Sequence, residues 1–553
     1  MLRRISASTP PRRAGDARLQ RAIVLVALVA SAAPLGAQAP CDTTVSRTTL
    51  STMSGRRIGA VDVQTLDPDP LPGAAAALDW IHVRTRDATV RRQLLFAAGD
   101  TVDTLRIGES LRRLRHLHYL VEVAVRGTSC SPDVPVHLTV VTRDDWSTKP
   151  SIRVRSASSS ALGLTERNLF GSGREASVDV STDAGRVGLG AHWRDPWVAG
   201  GRLALDVGAN SYRDGNALSA ALSRREQTVF DPWGFDATIE RAVRDAAAEN
   251  GDVFRRTSAS ALGSRRIGIS RWAVTSLVGG VEYENAGLIA GRSASIVGPH
   301  EVRREFSGLD IGLTRRSVAY DTVTWLLAAN GIADVPLARE ADAVIGVGRE
   351  RVAAGTAIHA DLWAGQMWLP NPRTLVVADL WSSGYLAGGR VSAATARASV
   401  AVFRPAAGGT WIGRLALEQL LAPDPDVRSL AWSDPTLAAL PSSARLAHAA
   451  VGGSLERTLR VHSLSRSWSI EAAGFAAFSD RRDPADSSGE HVYAGILGAG
   501  LRLAPTKLGR GTARLDIGFP VVGSGNVSRR PFIAISVMPW LEQARHRDGR
   551  TDR

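Results

Sequence analysis

The chain has 553 residues and carries 67 Lys and Arg against 54 Asp and Glu, a formal net charge of +13. Its 44% apolar and 22% charged residues exclude both wholesale disorder and a bundle of membrane-crossing helices. Glycine is frequent at 53 residues, and tryptophan, at 14, outnumbers tyrosine, at 6, a balance that suits many strands joined by turns.

Residues 1–39 read as an export signal. Arg3, Arg4, Arg12, Arg13, Arg18 and Arg21 precede a 14-residue apolar run, Ala22 to Leu35, and Ala37-Gln38-Ala39 offers small residues for cleavage. The run falls short of the roughly 20 residues that span hydrocarbon as a helix, which sets a removed leader ahead of a permanent anchor. Loss of six Arg and one Asp, Asp16, takes the charge from +13 to +8. That modest excess in an exported chain fits anionic lipid or a solvated surface, and no nucleic-acid partner is expected. Residues 40–55 are a mature N-terminal segment. Cys41 within it and the distant Cys130 are the only cysteines, and export puts them where a disulfide between them would persist.

Residues 56–147 carry the pattern of a small α+β domain. Ile58 to Val63 alternates as a strand, and Thr89 to Ala98 sets Val90, Leu94, Ala97 and Ala98 on one helical face before Gly99-Asp100. A second helix runs from about Thr104 to Leu117 with Ile107, Leu111 and Leu114 inward. His116 and His118 at its end read as surface or packing residues. Val121, Val123 and Val125, then Val134, Val136, Leu138 and Val140, alternate on either side of a turn and give a hairpin. The expected order is β-α-α-β-β.

Residues 148–540 lose helical periodicity, and short segments alternate apolar and polar between Gly, Pro, Asn and Asp turns. Ala176 to Ser181, Arg202 to Gly208 and Phe532 to Val537 are examples. A membrane offers no water to unpaired backbone, so a spanning sheet must close on itself with apolar side chains outward and polar ones inward. The expectation is a mainly β chain, a transmembrane antiparallel β-barrel of about 16 strands within a range of sixteen to twenty. Trp193, Trp197, Trp233, Trp363, Trp368, Trp381 and Trp540 would form interfacial girdles. Short turns at 168–173, 195–201, 231–234 and 370–373 would face one side and long loops at about 287–304 and 422–445 the other. Residues 541–553 are a polar tail expected to be disordered. No CxxC, HExxH, GxSxG or Walker A pattern occurs, so neither an enzyme nor a cofactor is expected.

Thr89 to Asp100 leading into Ser110-Leu111-Arg112-Arg113-Leu114 resembles a POTRA domain. Leu162 to Gly173, with its turn Asn168-Leu169-Phe170-Gly171-Ser172-Gly173, resembles the second barrel strand and turn of the BamA/TamA superfamily and the related bacterial surface antigens. Arg194-Asp195-Pro196-Trp197 and Thr142 to Trp146 are similar to further stretches of that group. The resemblance implies an outer-membrane barrel with one periplasmic POTRA domain. Its partners would be outer-membrane lipids, unfolded outer-membrane protein clients and periplasmic or lipoprotein partners.

The family's lumen loop carries Val-Arg-Gly and an aromatic. Here Val427-Arg428-Ser429-Leu430 lacks the Gly and the aromatic, so the implied lock pairs Arg428 with Asp480, while Glu456 matches the strand after the loop. The implied lateral seam joins Ile152 and Val154 to Ile533, Ile535 and Val537, where Pro539 offers no ladder donor. Insertion or translocation of proteins at the seam and at the POTRA edge, Tyr119 to Val141, is the implied function. A passive pore and a structural surface barrel are the alternatives.

Overall fold

The structure is a computed structural model that describes residues 52–70, 82–128, 134–156, 159–183, 186–212, 215–224, 228, 230–246, 252–289, 303–325, 333–351, 355–421, 449–464, 468–482, 491–505, 511–524 and 530–539. The leader, Cys41, Cys130, Arg428, Trp540 and the tail 541–553 lie outside the described residues.

The N-terminal domain is built from β1 (Ile58–Leu66), α1 (Asp87–Arg91), α2 (Thr104–His116), β2 (Leu120–Thr128) and β3 (Val136–Asp144). β3 is central, parallel to β1 and antiparallel to β2. Asp103 caps α2, its Oδ1 accepting from the backbone N–H of Leu105 at 2.8 Å and of Arg106 at 3.3 Å. Ile107 and Leu114 point from α2 into a core with Ile58, Val90, Leu120, Val136, Leu138 and Val140. Full burial of a side chain such as Leu114 is worth about 1.5–3 kcal/mol.

Two expectations shift. The first helix stops at Arg91 instead of reaching Ala98. The reason is local competition for donors: Leu95 N–H bonds to Ser110 Oγ at 2.8 Å, and Ala97 N–H to Asp100 Oδ2 at 2.8 Å. Phe96, not Ala97 or Ala98, fills the core there. Met53 also belongs to that core, so the domain's packing begins ahead of residue 56.

Among the described residues twenty-two strands follow, from β4 (Thr148–Ser156) to the strand Phe532–Pro539, and twenty of them form one sheet, each antiparallel to its neighbours. Their order is cyclic, and the ring is completed where the last strand meets β4. The sequence alternation finds about 16 strands because it is interrupted between residues 243 and 350. The strand Asp252–Ile269, for example, carries Arg255, Arg256, Arg265 and Arg266. Pairing with two partners holds it extended in spite of that composition.

The alternation sorts the two faces. In Arg303–Ser317, Leu309, Ile311 and Leu313 are exposed outward, while Arg304, Phe306 and Asp310 are buried inward. The same sorting places Leu515 and Ile517 outside and Arg514 and Asp516 inside. Trp193, Trp233 and Trp368 are exposed, as girdle residues would be. Trp363 departs from that expectation: it is buried on the inner parity with His359 and stands opposite Trp381 in the ladder. Trp197 is also buried.

The end of the ring beside the N-terminal domain does not carry short turns alone. Residues 318–339 connect two ring strands there and contain a hairpin of Tyr320–Val323 with Ala333–Pro336.

Candidate functional site

Two regions concentrate unusual geometry: the joint between the domain and the ring, and the seam. The joint is organised by the turn after Ser159–Leu169. Phe170, Gly171 and Gly173 have φ of +55°, +70° and +74°, and a Cβ on Gly171 would stand 2.3 Å from the Arg84 carbonyl oxygen. Glycine there lets the backbone approach the domain, and the Gly171 carbonyl accepts from Arg86 N–H at 2.9 Å and from Thr89 Oγ1 at 2.9 Å. Asn168, 1% exposed, donates through Nδ2 to Thr85 Oγ1 at 2.7 Å and accepts from Gly173 N–H at 2.8 Å. Leu169 closes the strand pairing opposite Arg174. Phe170 projects outward and is 65% exposed.

The linker stretch Thr142 to Trp146 meets the same joint. Asp144, fully buried, accepts from Thr85 N–H at 2.7 Å and lies 3.1 Å from His82 Nε2. The Tyr119 hydroxyl sits against Gly173, and burial raises its pKa above the ordinary phenol value. α2 reaches the ring separately. Arg115 makes a two-point ion pair with Asp334 of the insert hairpin at 3.0 and 2.7 Å. The Arg112 guanidinium lies 4.8 Å from the Tyr320 ring centroid and Arg106 5.2 Å from that of Phe230.

At the seam, one registered pair joins the first and last ring strands, Val154 opposite Ile535. The ladders on the other sides run over many registered pairs, from Thr148–Glu166 to Ser156–Ser159 with a register shift between Val154 and Ser156, and without interruption from Gly511–Pro539 to Gly518–Phe532. Ile152 pairs with Leu162 and Val537 with Ala513, away from the seam. Ile533 and Ile535 are exposed on the outer face.

The proposed pairing at Asp480 meets a different geometry. Asp480 stands opposite Tyr493 on the parity of Phe478, and both aromatic residues are exposed outside. Glu456 is an inward carboxylate of this sector. It accepts from Arg502 at 3.2 and 3.3 Å and from Arg514 Nη2 at 2.9 Å, while Arg514 Nε reaches Asp516 Oδ2 at 3.2 Å. Arg502 bonds Asp516 as well, which closes a buried quartet of two cations and two anions near the seam.

A second interior cluster joins Glu284 to Arg304 and to the Tyr385 hydroxyl, the latter at 2.7 Å. Arg502, Arg514, Asp516, Glu284 and Tyr385 were missed in the sequence. The available signal was charge on the inner parity of an apolar strand, as in Arg514-Leu515-Asp516.

No family model and no curated protein matches the chain. Among solved structures it is similar to CdiB from Escherichia coli, at 10% identity over 87% of this chain and 76% of that one, with a TM-score of 0.44. It is also similar to CdiB from Acinetobacter baumannii, at 12% identity over 87% and 74% and a TM-score of 0.36. BamA from Haemophilus ducreyi lacking POTRA domains 1–3 aligns at 12% identity over 88% and 85%, with a TM-score of 0.34. Similarity at this level assigns neither a family nor an activity.

Proposed function

We propose that this protein is a bacterial outer-membrane barrel of the BamA/TamA kind that inserts or translocates polypeptides through its seam, with the N-terminal domain serving as a periplasmic POTRA domain. The observation that carries the reading is the seam: a single registered pair between two strands that each make eight registered pairs on their other side. Such an edge offers backbone donors and acceptors to an incoming strand, a recognition mode that needs no catalytic residue. β2, at the edge of the domain sheet, would hold a client by the same chemistry. The outward Leu and Ile stripes would face lipid, and client folding would supply the energy.

A structural barrel without insertase activity is the competing reading. It is favoured by the outward position of Asp480 and by the missing Gly and aromatic after Arg428.

One experiment separates the two. In a background lacking Cys41 and Cys130, Val154→Cys with Ile535→Cys is oxidised to lock the seam. Under the proposal, locking stops delivery of client barrels and reductant restores it. Full delivery by the locked protein, or no polypeptide trapped by photocrosslinkers at Ile152 and Ile535, overturns it.

A further inference from the structure

The geometry points to a divalent transition-metal site on the inner wall of the ring, formed by Glu282, Asp310 and His359. The three come from separate strands, Ala273–Ile289, Arg303–Ser317 and Gly355–Asn371, and one donor atom from each lies within 4.8 Å of the others. Asp310 and His359 both pair with Gly346 on the strand between them. A Cβ at Gly346 would stand 2.5 Å from Asp310 Oδ1, so glycine leaves the space in which the carboxylate leans toward the imidazole.

The second observation is the state of the donor atoms. His359 Nδ1 and Glu282 Oε2, both buried, are 3.1 Å apart as an ion pair that lacks the alignment of a hydrogen bond. Side chains that merely satisfied one another would align a donor with an acceptor. Atoms that face a common ion are instead spaced by the ion. With ligand distances of about 2.0–2.2 Å, neighbouring donors fall about 2.8–3.6 Å apart, from octahedral to tetrahedral geometry.

The surroundings hold the imidazole in place. Tyr385 stacks on His359 with centroids 4.4 Å apart, Phe306 meets it edge-on at 6.2 Å, and Ser383 Oγ is 3.5 Å from Nε2. The nearby Arg304 and Tyr385 hydroxyl both bond Glu284. One imidazole with two carboxylates suits Zn²⁺ or Mn²⁺ better than Ca²⁺, which takes oxygen ligands alone. The site is independent of the seam and would staple three strands of the wall.

The test uses the full chain in detergent, stripped with chelator and dialysed against Zn²⁺, with Ca²⁺ as control. The expected result is one tightly held Zn²⁺ per chain. His359→Gln, Asp310→Asn and Glu282→Gln should each weaken binding by at least about tenfold, while heat-modifiable gel mobility shows that each barrel is folded. Co²⁺ uptake by the unsubstituted protein should give a d–d spectrum free of thiolate bands, a readout that needs no variant to fold. No stoichiometric Zn²⁺ on the unsubstituted protein overturns the site, as does Zn²⁺ retained unchanged by folded variants.

Discussion

At the residue scale, the joint turn separates two kinds of conspicuous side chain. Asn168 is buried and satisfies Thr85 across the joint and Gly173 within its own turn, whereas Phe170 is mostly exposed beside it. Asn168→Ala leaves Thr85 Oγ1 and Gly173 N–H without their partner and should cost about 1–3 kcal/mol, read as earlier urea unfolding of the domain. Gly171→Ala adds strain at φ +70° and a clash with the Arg84 carbonyl, so it should loosen the joint and expose residues near Arg84 to protease. Phe170→Ala should leave both measurements unchanged. Equal effects at Asn168 and Phe170 would contradict this division.

Charge can be tested at Asp67, outside the ring. Its hydrogen bond from Arg84 holds the Asp67 carboxyl below the ordinary value, and both side chains are more than half exposed. A folded-state pKa below the unfolded one adds stability above the unfolded value, near pH 4, and that stability fades as pH falls through the folded value. Solvent screening keeps it small. Asp67→Asn should therefore lower the domain's unfolding midpoint slightly at pH 7 and not at pH 2. A loss that persists at pH 2 would mean that packing, not charge, is involved.

At the element scale, strands were legible where period-2 alternation ran unbroken, as at Ala176–Ser181, and the domain's order was legible from two helical stripes beside two alternating runs. The lost information is of two kinds. One is the length of α1, decided by side chains of Asp100 and Ser110 that compete for its donors. The other is which charges meet across strands: Glu456 and Arg502 are 46 residues apart and face each other only through ring order and register. Parity was readable for Asp480 from Phe478, two positions earlier, but motif likeness pointed inward.

The insert hairpin gave no sequence signal, and its role at the joint is testable. Its Asp334 holds Arg115 with both side chains largely buried. Removing one partner of such a pair costs about 3–5 kcal/mol. Asp334→Ala should speed proteolysis within residues 318–339. Adding Arg115→Met should recover part of the loss, because the uncompensated cation is gone. A double variant as sensitive as the sum of the singles would show that the two side chains do not act as a pair.

For the whole molecule, the decisive property is where the ring's outer face resides. Among the described residues, the twenty strands of the ring alternate so that polar groups turn inward, to ion-paired clusters, and apolar ones outward. Leu309, Ile311 and Leu313 are 68%, 61% and 48% exposed, and the neighbouring strand Glu340–Glu350 adds Ile345 and Val347 on the same face. A water-facing surface would gain nothing from so continuous an apolar stripe and would invite aggregation. A lipid-facing one requires it. The two settings give different outcomes for one substitution. Ile311→Arg changes an outward side chain and leaves the inward Asp310 and its neighbours in place. In lipid it should cost about 2–4 kcal/mol if the site lies near the bilayer midplane, less toward either interface. In water the same change on an exposed face should fall within about 0.5 kcal/mol of neutral. Folding of the full chain into lipid vesicles, followed by denaturant titration, reads the difference. A midpoint unchanged by Ile311→Arg and by Leu309→Arg alike would place the outer face in water, and the seam would then open onto solvent instead of a bilayer.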